Sequence, residues 1–449
     1  MSEILFSRKI YSEMLKWKKE YAPAYALFLK GARRVGKTTL AEKLGAEEYK
    51  TYILISFDKV SDDIKKIFLS SLDDLEYFFN VLQLNFKTKL YEHESLIILD
   101  EIQLFPEARQ ALKTLLKDSR YHYLETGSLA IIKKKGRDIL IPSEEYPLDV
   151  LPLDFEEFLW ATDDYITMDL IRTHYENKKE FKEMYNVIKK SFREYMLVGG
   201  MPQAVLEYIK SKDFSKVDFI KQRILDLYES DMVEQKEENS IYVKSFFDRI
   251  PSELSKHDKK YILTHVSPNA RFRDYGGPIE WLDQAMIINI ANSITDPNVA
   301  LNLSVVDASF KCYMMDTGLL ISLAYRDGNL LDNELYKAIL LDKLHINEGM
   351  IVENMVAQAL RYNKHNMCYY KKVDKESKRT VIDVDFLIRK NNKVLPIEVK
   401  SSRRTTIKSL KAFRKMFPKK LGEAYVLYDG DIKVEDDVVY LPYFMASVI

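Results

Sequence analysis

Cysteine is almost missing from this chain: Cys312 and Cys368 are the only two in 449 residues. Two such distant thiols exclude a disulfide framework and a four-ligand zinc site, and they fit a reducing compartment. Histidine is scarce too, seven in all, with no H-x-x-x-H or Cys-paired ligand spacing; His365 and Cys368 read as a surface coincidence, not as half a zinc site. Net charge is absent, because 68 Lys and Arg offset 68 Asp and Glu. No global field therefore argues for or against nucleic acid, and only local clusters carry information. With 14 Gly and 13 Pro, the chain is neither disordered nor collagen-like. Its longest apolar stretches, such as Leu96 to Leu99 and Leu319 to Ala324, fall far short of the ~20 residues that cross a bilayer. Glu3, Arg8, Lys9, Glu13 and Lys16 leave no apolar signal core near the start. The expectation is a soluble cytoplasmic protein with no membrane partner.

Hydrophobic residues make up 47% of the chain, enough for several cores and, at roughly 150 residues each, about three domains. Residues 1–160 alternate aliphatic runs (Tyr25 to Leu29, Thr51 to Phe57, Ser95 to Leu99, Tyr121 to Glu125) with helical patterns. That is how an α/β parallel sheet with crossover helices reads. Residues 161–345 are mostly amphipathic helix, with Phe246, Phe247, Ile250 and Leu254 at helical spacing. They divide into a helical lid (161–215) and a small recognition-type module (216–345). From 346 to 449 an α/β pattern returns: a helix through Ile351 to Leu360, strands at Ile382 to Ile388 and Val394 to Val399, a basic helix from Thr405 to Phe417 stopped by Pro418, and strands at Ala424 to Tyr428 and Val438 to Leu441.

Gly31-Ala32-Arg33-Arg34-Val35-Gly36-Lys37-Thr38 matches G-x-x-x-x-G-K-[ST], follows an apolar strand and opens the helical run that starts at Thr39. The glycines let successive N–H groups turn toward phosphate oxygens, and the helix adds its dipole. Lys37 then reaches the outer phosphates of ATP, and Thr38 offers a hydroxyl to Mg²⁺. Downstream, Leu96-Ile-Ile-Leu-Asp100-Glu101 is a buried strand ending in two acids. Asp100 is expected to order the Mg²⁺ shell and Glu101 to polarise the attacking water. The next strand ends in Thr126-Gly127-Ser128, where a hydroxyl, assigned to Ser128, can sense the terminal phosphate or simply form a polar turn.

These stretches, with Leu99-Asp-Glu-Ile-Gln103, Pro152-Leu-Asp-Phe-Glu-Glu-Phe-Leu159, Gly199-Gly-Met-Pro202 and Phe310-Lys-Cys-Tyr-Met-Met-Asp316-Thr-Gly-Leu-Leu320, resemble the bacterial and archaeal AAA-type ATPases that carry a C-terminal domain of unknown function. The resemblance implies a P-loop AAA-type core, a helical lid, a winged-helix-like middle and a restriction-endonuclease-like end. Arg34 stands where such proteins usually have Gln. In that family the Gly-Gly-x-Pro element follows the lid helices; here it either reports nucleotide state or forms a plain helix corner.

In the last region Asp385 and Glu398 lie on adjacent strand-like runs, and Glu398 and Lys400 share a strand face. The pattern resembles the PD-(D/E)xK nucleases, which implies Asp385 and Glu398 as Mg²⁺ ligands, Lys400 orienting water and Glu353 completing the site from the preceding helix. The same fold kept without cleavage is the other reading. Between Lys400 and Lys420 there are nine basic residues (Lys400, Arg403, Arg404, Lys408, Lys411, Arg414, Lys415, Lys419, Lys420) and no acid. Ile407, Leu410, Phe413 and Phe417 give that helix an apolar side, so the cations either face a DNA backbone or pair with acids elsewhere. Three functions follow: a nucleotide-gated DNA-processing enzyme, a signalling switch with a nuclease-like scaffold, and a DNA-binding regulator using the middle module. All bind ATP, and a hydrolysis-activating arginine from a neighbouring subunit makes a homo-oligomer the expectation.

Overall fold

The computed structural model describes residues 6–128, 143–233, 237–268, 270–326, 333–340, 348–374, 376–377, 379–402 and 406–449. It divides into two compact units, one of residues 7–151 with 284–286 and one of residue 6 with 152–283 and 287–449. No helix among the described residues is long and apolar enough to cross a membrane.

The first unit is a five-stranded parallel sheet in the order β2-β3-β4-β1-β5. Its strands are β1 (Ala26–Lys30), β2 (Thr51–Ser56), β3 (Ser95–Asp100), β4 (His122–Gly127) and β5 (Glu145–Asp149). The helices are α1 (Ile10–Glu20), α2 (Lys37–Glu48), α3 (Asp62–Ser70), α4 (Leu75–Phe86) and α5 (Pro106–Asp118). β3 is buried along its whole length, as expected of a parallel strand covered on both faces. Ile53 and Ile55 of β2, Ile97 and Leu99 of β3, Leu112 and Leu115 of α5 and the rings of Phe68 and Phe78 share one core. Because every strand runs the same way, the carboxyl ends Lys30, Ser56, Asp100, Gly127 and Asp149 lie along one edge, where α/β sheets bind ligands. At the other end of β4, buried His122 sits 2.8 Å from the Tyr49 hydroxyl through Nδ1 and packs edge-on against Trp17. Burial lowers its pKa to about 4, helped by the nearby His93 and Lys18.

The second unit opens with α6 (Phe155–Ala161), started by a reciprocal capping box between Asp154 and Glu157. Helices α7 (Thr167–Asn177), α8 (Met184–Val198), α9 (Pro202–Ser211), α10 (Phe214–Val233), α11 (Glu237–Leu254) and α12 (Phe272–Gln284) follow. Then come β6 (Ile288–Ile294), β7 (Val305–Met314), α13 (Thr317–Ala324), α14 (Asn333–Leu340), α15 (Glu348–Tyr362), β8 (Cys368–Val373), β9 (Thr380–Lys390), β10 (Lys393–Val399), α16 (Lys408–Met416), β11 (Ala424–Tyr428), β12 (Lys433–Glu435) and β13 (Val438–Pro442). All eight strands form one mixed sheet, β12-β13-β11-β10-β9-β8-β6-β7. Here the structure departs from the sequence reading, which placed a boundary between 345 and 346. The hairpin β6–β7 belongs to the 216–345 segment, yet β6 pairs in parallel with β8 at Asn292↔Cys368 and Ser293↔Tyr369. A sheet partner more than seventy residues away leaves no trace in local periodicity, so one sheet runs where two domains were expected.

Three stretches widely separated in sequence meet in this unit. The Gly200 N–H donates to Asp316 Oδ2 at 2.6 Å, and Asp316 Oδ1 caps α13 through the Leu319 N–H at 2.9 Å. The Gly200 carbonyl in turn accepts from the Leu153 N–H at 2.6 Å. Gly199 has φ +81°, and a Cβ on Gly200 would lie 2.0 Å from the Leu153 carbonyl oxygen. Gln358 of α15 completes the knot, accepting from the Thr317 N–H at 2.9 Å and donating to the Tyr195 hydroxyl at 3.0 Å.

Two outcomes test this description. Gly200→Ala is expected to destabilise the fold by about 1–3 kcal/mol or more, since the contact is with backbone, as read from denaturant midpoints. For His122, a folded pKa near 4 lies below the ordinary value of about 6.5, so the unfolded chain takes up the proton first as pH falls. Its contribution is present above about pH 6.5 and is lost toward pH 4, so the stability gap between wild type and His122→Phe should shrink across that window.

Candidate functional site

The loop 31–38 closes tightly before α2. Gly36 takes φ 97° at the helix N-cap, a conformation that favours glycine. A Cβ on Gly31 would meet the Val150 carbonyl oxygen at 2.3 Å, so this position also needs glycine. Arg34 carries a left-handed φ of 67° and is exposed, as is Thr39, whereas Ala32 and Val35 are buried and Arg33 is half-buried. Buried Lys37 folds back over the loop, its Nζ donating to the Gly31 and Ala32 carbonyls at 3.0 Å each. Those bonds hold its ammonium over the loop.

The acids approach from β3. Asp100 Oδ1 accepts from the Thr38 hydroxyl at 2.8 Å and from the Thr126 hydroxyl at 2.6 Å. Its Oδ2 accepts from Ser56 at 3.0 Å. The loop, three neighbouring strand ends and the first turn of α2 thus converge on one carboxylate. Glu101 follows in left-handed backbone, φ 55° and ψ 46°, a strained state of the kind that clusters at active sites. Its N–H donates to Thr126 Oγ1 at 3.2 Å, and its carboxylate receives the Gln103 amide.

Several of these positions were given no role of their own from sequence. The hydroxyl that touches Asp100 belongs to Thr126, whereas Ser128 offers its backbone N–H to Gln103 Oε1 at 3.3 Å. Buried Gln103 therefore links Glu101 to the end of β4. Arg8 is the other omission: it donates to the Val35 carbonyl at 3.1 Å and to the Leu151 carbonyl at 2.6 Å, holding the phosphate loop against the end of the sheet. A lone arginine twenty-three residues before the motif gives no pattern to detect. Ser56 carries a weak signal, as a polar residue ending an aliphatic run.

In the second unit, Lys311 joins Glu353 to Asp385 and Lys400 pairs with Glu398. Lys311 Nζ of β7 lies 3.1 Å from Glu353 Oε1 and 3.1 Å from Asp385 Oδ1. Tyr313 donates to Glu353 Oε1 at 2.6 Å, and Lys259 pairs with Oε2. Burial alone would raise the Glu353 pKa, yet Lys311, Lys259 and the Tyr313 hydroxyl bring it down to about 2. Asp385 Oδ2 accepts from the Val399 N–H at 2.9 Å. Lys400 pairs with Glu398 Oε1 at 2.5 Å, while Glu398 Oε2 is buried without a partner. Burial, with Asp385 nearby, pushes the Glu398 pKa up to about 8 despite Lys400. No group of three or more His, Cys, Asp or Glu among the described residues is arranged to hold a metal.

The basic run is partly neutralised. Lys411 pairs with Asp436 at 2.7 Å and Lys420 with Asp296 at 2.5 Å, and Arg414 donates to the Asp436 carbonyl at 3.1 Å. Lys408, Lys415 and Lys419 are exposed; Arg403 and Arg404 lie outside the described residues. α16 itself packs inward through Leu410 and Phe413.

Comparisons with known proteins agree with this geometry in the first unit. Residues 24–159 match the family model of the AAA domain. Residues 189–330 and 348–444 match two domains of unknown function, DUF8612 and DUF4143. The uncharacterized protein MJ1637 of Methanocaldococcus jannaschii is 24% identical over 210 residues, which cover 44% of this chain and 42% of that protein. The chain thus spans less than half the length of that relative. Among solved structures, a signal transduction ATPase with numerous domains and a tetratricopeptide repeat sensor from Pyrococcus horikoshii aligns with a TM-score of 0.28 at 14% identity, covering 79% of this chain and 48% of that one. The Aeropyrum pernix Orc1 protein in complex with DNA gives 0.27 at 11%, covering 76% and 93%. AMPPCP-bound DnaA from Aquifex aeolicus gives 0.26 at 14%, covering 62% and 86%. At such scores these likenesses say nothing of ligand or partner. The family match, the parallel five-stranded sheet and the phosphate loop together make residues 24–159 an AAA-type P-loop domain.

Proposed function

We propose that the chain binds Mg-ATP at residues 31–38 and hydrolyses it, using the energy to change what the unit of residues 152–449 binds. The observation that carries this reading is the 2.8 Å hydrogen bond from Thr38 to Asp100, which brings the phosphate loop and the acid-tipped strand to one point. One hydroxyl and one carboxylate are a sparse donor set, and they suit Mg²⁺, which keeps waters and takes its remaining oxygens from phosphates. Bound there, the ion would offset charge building on the terminal phosphate. Lys37 supplies the second positive charge, and the N–H groups at the start of α2 supply a third source of attraction. Glu101, steadied by Gln103, is the group placed to take a proton from the attacking water. The hydrolysis-activating arginine comes from a second copy of the chain in this reading, so turnover rises with protein concentration.

For the rest of the chain, the lysines in the carboxylate cluster favour a switch or regulator over an enzyme that cuts DNA. The exposed Lys408, Lys415 and Lys419, with the helices and hairpin of the winged-helix-like segment 216–345, remain the surface offered to a DNA backbone. Cytoplasmic placement accords with the scarcity of cysteine.

Lys37→Ala should abolish the rise in melting temperature that Mg-ATP gives the wild type; an unchanged rise would put the nucleotide elsewhere. Glu101→Gln should keep that rise and lose turnover by roughly 10²–10⁴-fold in a phosphate-release assay. Changing Lys408, Lys415 and Lys419 to Glu should weaken duplex binding and flatten its salt dependence in a titration followed by anisotropy. Equal affinity and an equal slope would remove DNA from this surface.

A further inference from the structure

The nuclease-like reading asks Asp385 and Glu398 to share a divalent cation with Glu353 close by, and the side chains present do not fit that ion. Lys311 reaches in from β7, which lies outside the segment that carries the acids, and its side chain is 3% exposed. Its ammonium bridges Glu353 and Asp385 at 3.1 Å to each. A divalent ion sits roughly 2.0–2.6 Å from its oxygens, so ammonium and metal cannot occupy this gap together. All four oxygens of Glu353 and Asp385 are already in use, and of Glu398 only Oε2 has no partner. Glu353 Oε1 takes Lys311 and Tyr313, Glu353 Oε2 takes Lys259, Asp385 Oδ1 takes Lys311, and Asp385 Oδ2 takes the Val399 N–H. Three ammonium groups, those of Lys259, Lys311 and Lys400, already face the acids Glu353, Asp385 and Glu398. Asp383, next along β9, has Lys371 at 3.9 Å. Adding a metal would leave a buried excess of positive charge, which low-dielectric surroundings penalise strongly.

We infer that Lys311 is the resident cation of this pocket, standing where a nuclease would hold its metal, so that the pocket binds no divalent ion and Lys311 is the residue whose removal opens such a site. The ammonium does structurally what the ion would do, tying the acid of α15 to the acid of β9. It offers no vacant coordination position for water or phosphate, and without one the metal-assisted hydrolysis that such acids serve elsewhere has no starting point.

The test is Mn²⁺ binding to the full chain without nucleotide, followed by titration calorimetry and by the electron paramagnetic resonance signal of free Mn²⁺. Wild type and Asp385→Asn should bind the same amount. Lys311→Ala and Lys311→Met should each gain one Mn²⁺ per chain, with affinity raised on the order of tenfold or more, and Mn²⁺ should restore part of their lost melting temperature. Lys311→Ala combined with Asp385→Asn should lose the gain, and Lys311→Arg should stay like wild type. A Mn²⁺ site in wild type that Asp385→Asn removes would overturn the inference, and so would folded Lys311→Ala and Lys311→Met proteins that gain nothing. If those two variants do not fold, wild type against Asp385→Asn and Lys311→Arg decides it. Because nucleotide is left out, the result is independent of whether Lys37→Ala loses ATP.

Discussion

One carboxylate ties the nucleotide-binding unit together. Asp100 ends a fully buried strand, and its two oxygens accept hydroxyls from the ends of β2 and β4 and from the first turn of α2. Hydrogen bonds to an ionised acceptor are stronger than those between neutral groups, and three of them on one side chain fix the relative positions of three strand ends. The strand order makes this possible, because β3 lies between β2 and β4 and all three run the same way. The phosphate loop is then positioned from both sides: through Thr38 on its helix side and through Arg8, which grips the Val35 carbonyl from behind. The same acid supports the neighbouring Glu101, whose N–H rests on the Thr126 hydroxyl that Asp100 holds.

Much of this is legible in local sequence patterns. Leu96 to Leu99 is an uninterrupted aliphatic run because β3 has no solvent face, and the phosphate loop is recognisable because its glycines answer to steric demands within eight residues. The strands β9, β10, β11 and β13 and the helix α16 stand close to where periodicity placed them. What sequence did not disclose depends on partners distant in the chain. Lys311 carried no signal of its own within its stretch, because Glu353 and Asp385, which close around it, lie 42 and 74 residues away. Gln103 is one polar residue after a strand, and only the fold places the end of β4 beside it. β5 escaped notice because Glu145 to Asp149 is short and carries acids and a proline, a poor advertisement for a strand.

The stretches that carried the family resemblance turn out to serve one another. Leu153, Gly199, Gly200, Asp316 and Thr317 had seemed to be separate signatures, and they are parts of one buried hydrogen-bonded knot. Buried polar groups in such a network are costly to leave unpaired, so each stretch constrains the identity of the others. The two glycines are required there by close backbone approach and by a positive φ, and both demands come from Asp316 and Leu153. The corner reading of Gly199-Gly200 is thereby given a physical basis, and the chain's first residues after 151 are bound into the second unit from their start.

The parallel pairing of β6 with β8 matters for how the molecule can be divided. With the hairpin β6–β7 removed, β8 becomes the rim of the sheet, and the backbone groups of Asn292 and Ser293 no longer cover it. The buried Cys368, Tyr369 and Tyr370 would then flank an uncovered ladder of hydrogen-bonding groups, the kind of border along which chains stack on each other. The last hundred residues thus carry a sheet border that is covered only by a segment encoded well upstream.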